Sequence, residues 1–263
     1  MKYALLGILV VLLLSCKNEK QRQLVWSDEF DKNGAPDPAK WNFDTGDGCP
    51  DNCGWGNNEL QSYTQDPENV RVADGHLIIE ARQDSLGGKA YTSAKIVSRE
   101  KGDWLYGRLE IRAKLPRGKG TWPAIWMLPT DWKYGDWPSS GEIDIMEHVG
   151  YDPGVIHGTI HTEAYNHIKQ TQKEGKITIA DAQDTFHVYT VDWFEDKMDF
   201  YVDDRLYHTV NRDPKDDYKG WPFDQRFYLI MNIAVGGNWG GAKGVDPAIW
   251  PQRMEIDYVR IYQ

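Results

Sequence analysis

The chain has 263 residues and a formal net charge of −10, with 30 Lys and Arg against 40 Asp and Glu. This acidic balance argues against nucleic acid or an anionic membrane surface as a partner, whereas an uncharged polysaccharide is compatible with it. The length fits one large all-β domain or two smaller ones.

The N-terminus begins with an apolar run from Ala4 to Leu14. The run is too short to span a bilayer as a helix, so it predicts the core of a signal peptide. Leu13-Leu14-Ser15-Cys16 resembles the cleavage box of bacterial lipoproteins, in which Cys16 becomes the lipidated first residue. We therefore predict a lipoprotein signal peptide over residues 1–15 and a polar tether over residues 16–23.

These segments predict an exported lipoprotein at the cell surface or outer membrane, attached to the membrane by its lipid anchor only. An ordinary secretory signal with an incidental cysteine is the alternative, and it would give a secreted protein.

Cys49 and Cys53 lie close together in the next part of the chain. In an exported protein this spacing predicts a small disulfide loop, because a zinc site would need more ligands than the loop provides.

Short strands separated by turn signals occupy the rest of the chain. Asn69–Ala73 and His76–Arg82 flank Asp74-Gly75, a strong hairpin signal. Phe186–Phe194 and Met198–Val202 form a second predicted hairpin. The other predicted strands are Ser93–Arg99, Leu105–Leu115, Trp122–Leu128, Phe227–Val235 and Met254–Tyr262. No segment has sustained helical periodicity, so we predict one all-β domain, a sandwich of two antiparallel sheets.

Three carboxylates stand among apolar residues in the segment Glu142-Ile143-Asp144-Ile145-Met146-Glu147. Residues two apart in a strand share a face, so Glu142 and Asp144 point the same way. Glu147 would point the opposite way unless a β-bulge at Met146 adds one residue, and we predict that bulge. One face is then purely acidic and the other apolar, which argues against a solvated acidic edge strand.

Carboxylates this close repel one another, so at least one pKa in the cluster must rise. Glycoside hydrolysis makes use of such a cluster, because it needs one ionised carboxylate as nucleophile and one protonated carboxyl as acid. The spacing therefore favours catalysis over a structural role.

The acidic segment resembles the signature of glycoside hydrolase family 16, in the bulged form carried by its bacterial laminarinases, which are endo-β-1,3-glucanases. Other segments resemble that family in the same order along the chain. They are Leu24–Phe30, Gly56–Thr64, Trp122–Leu128, His157–His161 and Asn232–Trp239. The resemblance implies a β-jelly roll with a concave substrate cleft, formed by a catalytic domain over residues 24–263.

The resemblance also implies a role for each acid in a retaining endo-hydrolase of β-1,3-glucan such as laminarin. Glu142 is the expected nucleophile, Glu147 the expected acid/base, and Asp144 the expected assisting group that orients Glu142. Mixed-linkage β-1,3/1,4-glucan is a further candidate substrate. We expect a monomer that binds a β-glucan chain and needs no cofactor for catalysis.

Candidate substrate-binding residues come from the same motifs, and each also has an ordinary structural explanation. Asn57 and Asn58 lie on a predicted loop and can donate amide hydrogen bonds to sugar hydroxyls, although turn formation alone would explain them. Trp122 and Trp126 are four apart and share a strand face, which is either the core face or the cleft face. The resemblance favours the cleft for at least one of them.

Arg82 ends a predicted strand, where a surface ion pair is the general explanation and the resemblance implies a glucose contact. His157 and His161 share a face, and a metal pair is conceivable. We instead expect His161 in the cleft near the acid/base. Asn238 and Trp239 lie in a glycine-rich loop that could cover a bound chain.

A structural calcium ion is implied by the resemblance alone, held by Glu29, the carbonyl of Gly75, and Asp257, away from the catalytic acids. Oxygen ligands of this kind suit calcium. The alternative is that Asp257 is simply a solvated strand residue.

Two other functions remain open from the sequence. Agarases, porphyranases and κ-carrageenases of the same family share the bulged motif and act on marine galactans. A non-catalytic surface glycan-binding protein would keep the aromatic cleft, but it would have no need of all three acids.

Overall fold

The computed structural model describes residues 22–263. The signal peptide predicted over residues 1–15, the lipidated Cys16 and most of the predicted tether lie outside the described residues. Within residues 22–263, no helix is long and apolar enough to cross a membrane.

The last two residues of the predicted tether are held on the domain. Arg22 forms an ion pair with Asp192, and Gln23 exchanges backbone hydrogen bonds with Gln263. The folded domain therefore includes Arg22 and Gln23, and any tether ends before them.

The described residues form eighteen strands and one short 3₁₀ helix, Cys53–Gly56. In chain order, the strands are β1 (Leu24–Asp28), β2 (Asn42–Phe43), β3 (Gln61–Tyr63), β4 (Val70–Ala73), β5 (His76–Ala81), β6 (Tyr91–Ser93), β7 (Lys95–Val97), β8 (Asp103–Trp104), β9 (Gly107–Lys114), β10 (Thr121–Pro129), β11 (Glu142–Glu147), β12 (Val155–His161), β13 (Lys173–Thr178), β14 (His187–Trp193), β15 (Lys197–Val202), β16 (Arg205–Asn211), β17 (Phe227–Val235) and β18 (Gln252–Tyr262).

Two eight-stranded antiparallel sheets contain almost all of these strands, as the sequence predicts. The sheet that we call the back sheet has the order β16-β15-β14-β9-β18-β5-β4, with β1 also paired to β18. The sheet that we call the site sheet has the order β13-β12-β11-β10-β17-β7-β2, with β8 also paired to β17. Strands β3 and β6 form a separate parallel pair. The architecture is the predicted jelly roll.

Both predicted hairpins are present. Asp74 and Gly75 connect β4 to β5 with φ angles of 53° and 77°, the pair of positive values that a tight hairpin turn requires. Strands β14 and β15 form the second hairpin.

Other strand predictions were less accurate. The segment predicted as one strand over Leu105–Leu115 begins only at Gly107, because Leu105 and Tyr106 form a bend in which Tyr106 has a φ angle of 62°. Strands β13 and β16 were missed because their residues are mostly half-buried or exposed, so their sequences lack a clear apolar alternation.

Aromatic residues join the two sheets in the core. Trp193 of the back sheet meets Phe227 of the site sheet edge to face, with ring centroids 5.3 Å apart, and both side chains are fully buried. This contact packs the site sheet against the back sheet.

We expect Phe227→Ala to lower the free energy of unfolding by about 3–5 kcal/mol, because it removes a large buried ring and leaves a cavity. Denaturant unfolding followed by tryptophan fluorescence measures the change. Leu206→Ala is the control, because that side chain is 54% exposed and should cost little. Equal effects of the two substitutions would contradict this description of the core.

Candidate active site

Strand β11 carries the predicted β-bulge. Ile145 and Met146 together face the single residue Gly158 on β12, where the strand register shifts. Both apolar side chains lie in the core. The predicted bulge is therefore confirmed, although the residue left unpaired against β10 is Ile145 and not the predicted Met146, which pairs with Ile125.

The three acids of β11 lie on the opposite face, and each outer one is bonded by an indole. The N–H of Trp137 donates to Oε2 of Glu142 at 2.9 Å. The N–H of Trp122 donates to Oε1 of Glu147, also at 2.9 Å. Asp144 is buried between them. Each outer carboxyl group is therefore held in a fixed orientation.

His161 lies next to two of these acids. Its Nε2 is 3.4 Å from Oδ2 of Asp144 and 3.8 Å from Oε1 of Glu142, its partner across the strands. We expected His161 near Glu147; its charge does act on Glu147, but the residue directly opposite Glu147 on β12 is His157. The reason is the antiparallel register, in which the later histidine pairs with the earlier acid.

Burial raises the pKa of each of the three carboxyls to about 8. The negative charge of Asp144 adds to the increase at Glu142 and at Glu147. His161 and the indole donors oppose the increase at both glutamates, because they favour the ionised form. The three groups interact, so protons bind to them as a cluster.

Tryptophans border the acids, as predicted. Trp239 meets Trp122 edge to face, with ring centroids 5.5 Å apart. Trp126 donates its indole N–H to Oδ1 of Asn232 at 2.8 Å. Both tryptophans of β10 therefore face the site and not the core. Flat apolar rings beside fixed polar groups are a suitable surface for a sugar chain.

The predicted asparagines meet across two loops. Asn58 donates its side-chain amide to Oδ1 of Asn238 at 2.9 Å, and the backbone N–H of Asn238 donates to the carbonyl of Asn57 at 2.7 Å. The loop that precedes them is closed by a disulfide between Cys49 and Cys53. This arrangement brings the two predicted binding loops together.

Arg82 does not join this group of contacts. Its guanidinium forms a 2.6 Å bond with Glu80 and lies 3.7 Å from Glu68, while its backbone pairs with Thr92. These contacts match the alternative explanation of Arg82, an ion pair that has no part in substrate binding. The predicted glucose contact of Arg82 stays a prediction.

Sequence reasoning missed three residues at the site. Trp137, which binds Glu142, lies in a loop just before the acids, and a search for indole donors near the motif could have found it. Asn232 bonds Trp126. Lys95 lies buried on β7, with its ammonium 4.1 Å from the ring centre of Trp55 and 5.1 Å from that of Trp126. No local pattern reveals Lys95, because its partners are distant in sequence.

The predicted calcium ligands already have cationic partners. Arg260 binds both oxygens of Glu29 at 3.0 and 2.8 Å, and Arg112 binds Asp257 at 2.5 Å. Both carboxylates are therefore ion-paired, while Oδ1 of Asp257 accepts no hydrogen bond from the described residues and lies 3.8 Å from Nε2 of His76. The predicted calcium site stays a prediction.

A different group has metal-ligand spacing. Glu142, Asp144 and His161 each place one donor atom within 4.8 Å of the others. One imidazole with two carboxylates resembles the donor set of zinc or copper more than that of calcium.

Comparison with known proteins agrees with this arrangement. The family model "Glycosyl hydrolases family 16" matches residues 57–260. A curated relative, the "Beta-glucanase" of Rhodothermus marinus, is 55% identical over 248 residues, which cover 92% of this chain and 85% of the relative.

Solved structures agree as well. The laminarinase from Rhodothermus marinus superimposes with a TM-score of 0.89 at 55% identity, covering 92% of this chain and 98% of that one. A non-specific endo-β-1,3(4)-glucanase of family 16 superimposes with a TM-score of 0.87 at 50% identity, covering 93% of this chain and 92% of that one.

A jelly roll with clustered carboxylates in an aromatic-lined site is the architecture of a glycoside hydrolase. The chain belongs to glycosyl hydrolase family 16.

Because Glu142 is buried, we predict that the stability of the folded protein depends on pH. Its pKa rises from 4.5 when unfolded to about 8 when folded, so the folded protein loses stability as the pH rises through this range. Glu142→Gln removes the ionisation. We expect its gain in Tm over the parent to be small at pH 4, to grow up to pH 8, and then to level off.

Thermal melts at fixed ionic strength test this expectation. Glu68→Gln is the control, because that side chain is 69% exposed and its substitution should give no pH-dependent gain. A gain for Glu142→Gln that is independent of pH would contradict the buried, proton-binding cluster.

Proposed function

We propose that this hydrolase is an endo-acting β-1,3-glucanase that retains anomeric configuration. The observation that carries the proposal is the bulged strand, which places three acids together beside Trp122, Trp126 and Trp239. The names of its relatives support the substrate: a beta-glucanase, a laminarinase and a "Glucan endo-1,3-beta-glucosidase" from Cryptopygus antarcticus, 41% identical over 253 residues.

In the proposed reaction, an oxygen of Glu142 attacks the anomeric carbon as the glycosidic C–O bond breaks. Glu147 gives its proton to the leaving oxygen. The resulting glycosyl ester is then hydrolysed: Glu147 takes a proton from water, the water oxygen bonds to the anomeric carbon, and Glu142 leaves as a carboxylate. Atoms and charge balance over the two steps, so no redox cofactor is required.

The surroundings of the two glutamates support this division of roles. Each glutamate accepts an indole N–H, and His161 lowers the pKa of both, but the imidazole lies within 3.8 Å of Glu142 only. Among the described residues, no histidine nitrogen lies within 4.0 Å of the Glu147 carboxyl. Glu147 is therefore the better candidate for the group that starts protonated.

Asp144 has a supporting role in the proposal. It lies buried between the glutamates, and its charge is the largest electrostatic cause of the raised pKa of Glu147. An ionised Asp144 would keep the proton on Glu147 and orient Glu142 for attack.

Mixed-linkage β-1,3/1,4-glucan is a second candidate substrate. The relative described as non-specific for β-1,3(4)-glucan is 50% identical over almost the whole chain. Marine galactans are not favoured by the names of the closely similar relatives. We take the enzyme to act as a monomer, because a single chain contains every residue used in the reaction.

We expect Glu142→Gln to abolish hydrolysis of laminarin while oligosaccharide binding persists, because only the nucleophile is lost. Glu142→Gly with azide and an activated aryl glycoside should regain activity and give the inverted glycosyl azide. Glu147→Gln should chiefly slow substrates with poor leaving groups. Product NMR and steady-state kinetics measure these outcomes.

Two results would contradict these roles. Rescue of Glu142→Gly that yields only the retained azide would remove Glu142 as the nucleophile. An equal loss of kcat/KM on good and poor leaving groups in Glu147→Gln would remove Glu147 as the acid.

We also propose that the enzyme is a lipoprotein anchored at the cell surface through Cys16. The apolar run before Cys16 and the polar residues after it support this location. Polymer outside the cell would then be cut where its products can be taken up. Structural calcium at Glu29, Gly75 and Asp257 stays a prediction; Arg260 and Arg112 now pair with the two carboxylates.

Cys16→Ser should leave an uncleaved precursor or release active enzyme from the membrane, because stable anchoring needs the acyl chains on that cysteine. Cell fractionation followed by mass spectrometry of the mature N-terminus measures the outcome. Finding an unmodified N-terminus downstream of residue 16 in the parent protein would show secretion instead.

A further inference from the structure

A second buried histidine stands beside the acid/base. His157 lies directly across from Glu147 on the neighbouring strand β12 and is only 4% exposed. Its Nδ1 is 2.5 Å from Oε1 of Glu174, a residue of the edge strand β13. Its Nε2 is buried and has no hydrogen-bond partner in the described chain. The mechanism above uses neither residue.

Continuous contacts connect this pair to Glu147. The ring of His157 meets Trp239 edge to face, with centroids 4.8 Å apart at 89°. Trp239 in turn meets Trp122 at 5.5 Å and 81°. Trp122 donates its indole N–H to the Glu147 carboxyl at 2.9 Å. A change at the histidine can therefore reach Glu147 through two packed rings.

We propose that Glu174 and His157 are positioning residues for the acid/base: the pair fixes Trp239, and through Trp122 it fixes the orientation of the Glu147 carboxyl. The inference rests on the proposed role of Glu147. A carboxylate bonded to Nδ1 settles which ring nitrogen carries hydrogen and stops the imidazole from rotating.

The charge of Glu174 gives the pair a second effect. The titratable groups near Glu147 are Asp144 and Glu142 on its own strand, His157 and His161 on β12, and Glu174 and Lys176 on β13. Burial is the largest cause of the raised pKa of Glu147, Asp144 comes next, and the negative charge of Glu174 raises it further. Lys176, 3.5 Å from Glu174, offsets part of that charge.

The back sheet contains a matched control. His187 is 8% exposed, and its Nδ1 lies 2.5 Å from Oδ2 of Asp203, so the same type of pair exists without contact with the acids. Substitutions there report the structural cost of losing a buried histidine–carboxylate pair.

Glu174→Gln separates charge from geometry, because glutamine can still accept the hydrogen bond from His157. Activity on the alkaline side requires the proton of Glu147, and losing the charge of Glu174 lowers the pKa of Glu147. We expect the alkaline limb of kcat/KM on a laminari-oligosaccharide to move to lower pH. Asp203→Asn should leave the pH profile of the parent unchanged.

His157→Phe removes the geometric link. We expect kcat/KM on the oligosaccharide to fall on the order of tenfold to a hundredfold, as for a misplaced catalytic group. For a dinitrophenyl laminaribioside, kcat/KM should change little, because this constant reports the first step and the leaving group needs no proton there. His187→Phe should change the activity on the two substrates by the same factor. If His157→Phe fails to fold, the Glu174→Gln profile still tests the proposal.

An unshifted alkaline limb in Glu174→Gln would overturn the electrostatic part of the proposal. Equal losses on both substrates in His157→Phe would overturn the positioning part and leave a structural pair like the control. A parent enzyme inactive on every β-glucan would instead refute the proposed function, which is a separate result.

Discussion

The whole site depends on one extra residue in strand β11. Without the bulge at Ile145 and Met146, strict alternation would send either Glu147 or an isoleucine to the wrong face. With it, the apolar side chains complete the core between the sheets, and the acids gather on the other side. The same β-bulge therefore supports both the packing of the core and the placement of the catalytic acids.

Gathering the acids has an energetic cost that the fold must offset. Each carboxyl is buried, so its charged form is disfavoured, and the core behind it has to supply the stability that the cluster removes. The sheet-to-sheet packing of Trp193 and Phe227 is part of that support. Raised pKa values beside oriented indole donors are what acid/base chemistry near neutral pH needs.

The sequence was most informative where the pattern is local. The acidic motif, the bulge and the Asp74-Gly75 hairpin can all be read from neighbouring residues, because period two and turn chemistry act over a few positions. The sequence was least informative about which residues of neighbouring strands lie opposite each other. The register that pairs His161 with Glu142 is a long-range property, and so is the contact of Lys95 with Trp126.

Edge strands were harder still to predict. Strand β13 was missed because it is half-buried and polar, and Glu174 was missed with it. The indole of Trp137 was overlooked for another reason: its loop has no regular period, so its closeness to the motif suggests a donor but does not show that it turns back onto Glu142. Positions of this kind can be found only after the sheet is assembled.

The central claim is that the bulged strand presents Glu142 as the nucleophile of a retaining hydrolase. Trapping the glycosyl enzyme with a 2-fluoro laminaribiosyl fluoride, followed by peptide mass spectrometry, tests it most directly. The account predicts a single adduct on the peptide that carries Glu142, located at that residue. An adduct on Glu147 or Asp144, or an enzyme that turns over glucan but releases the inverted anomer, would contradict it.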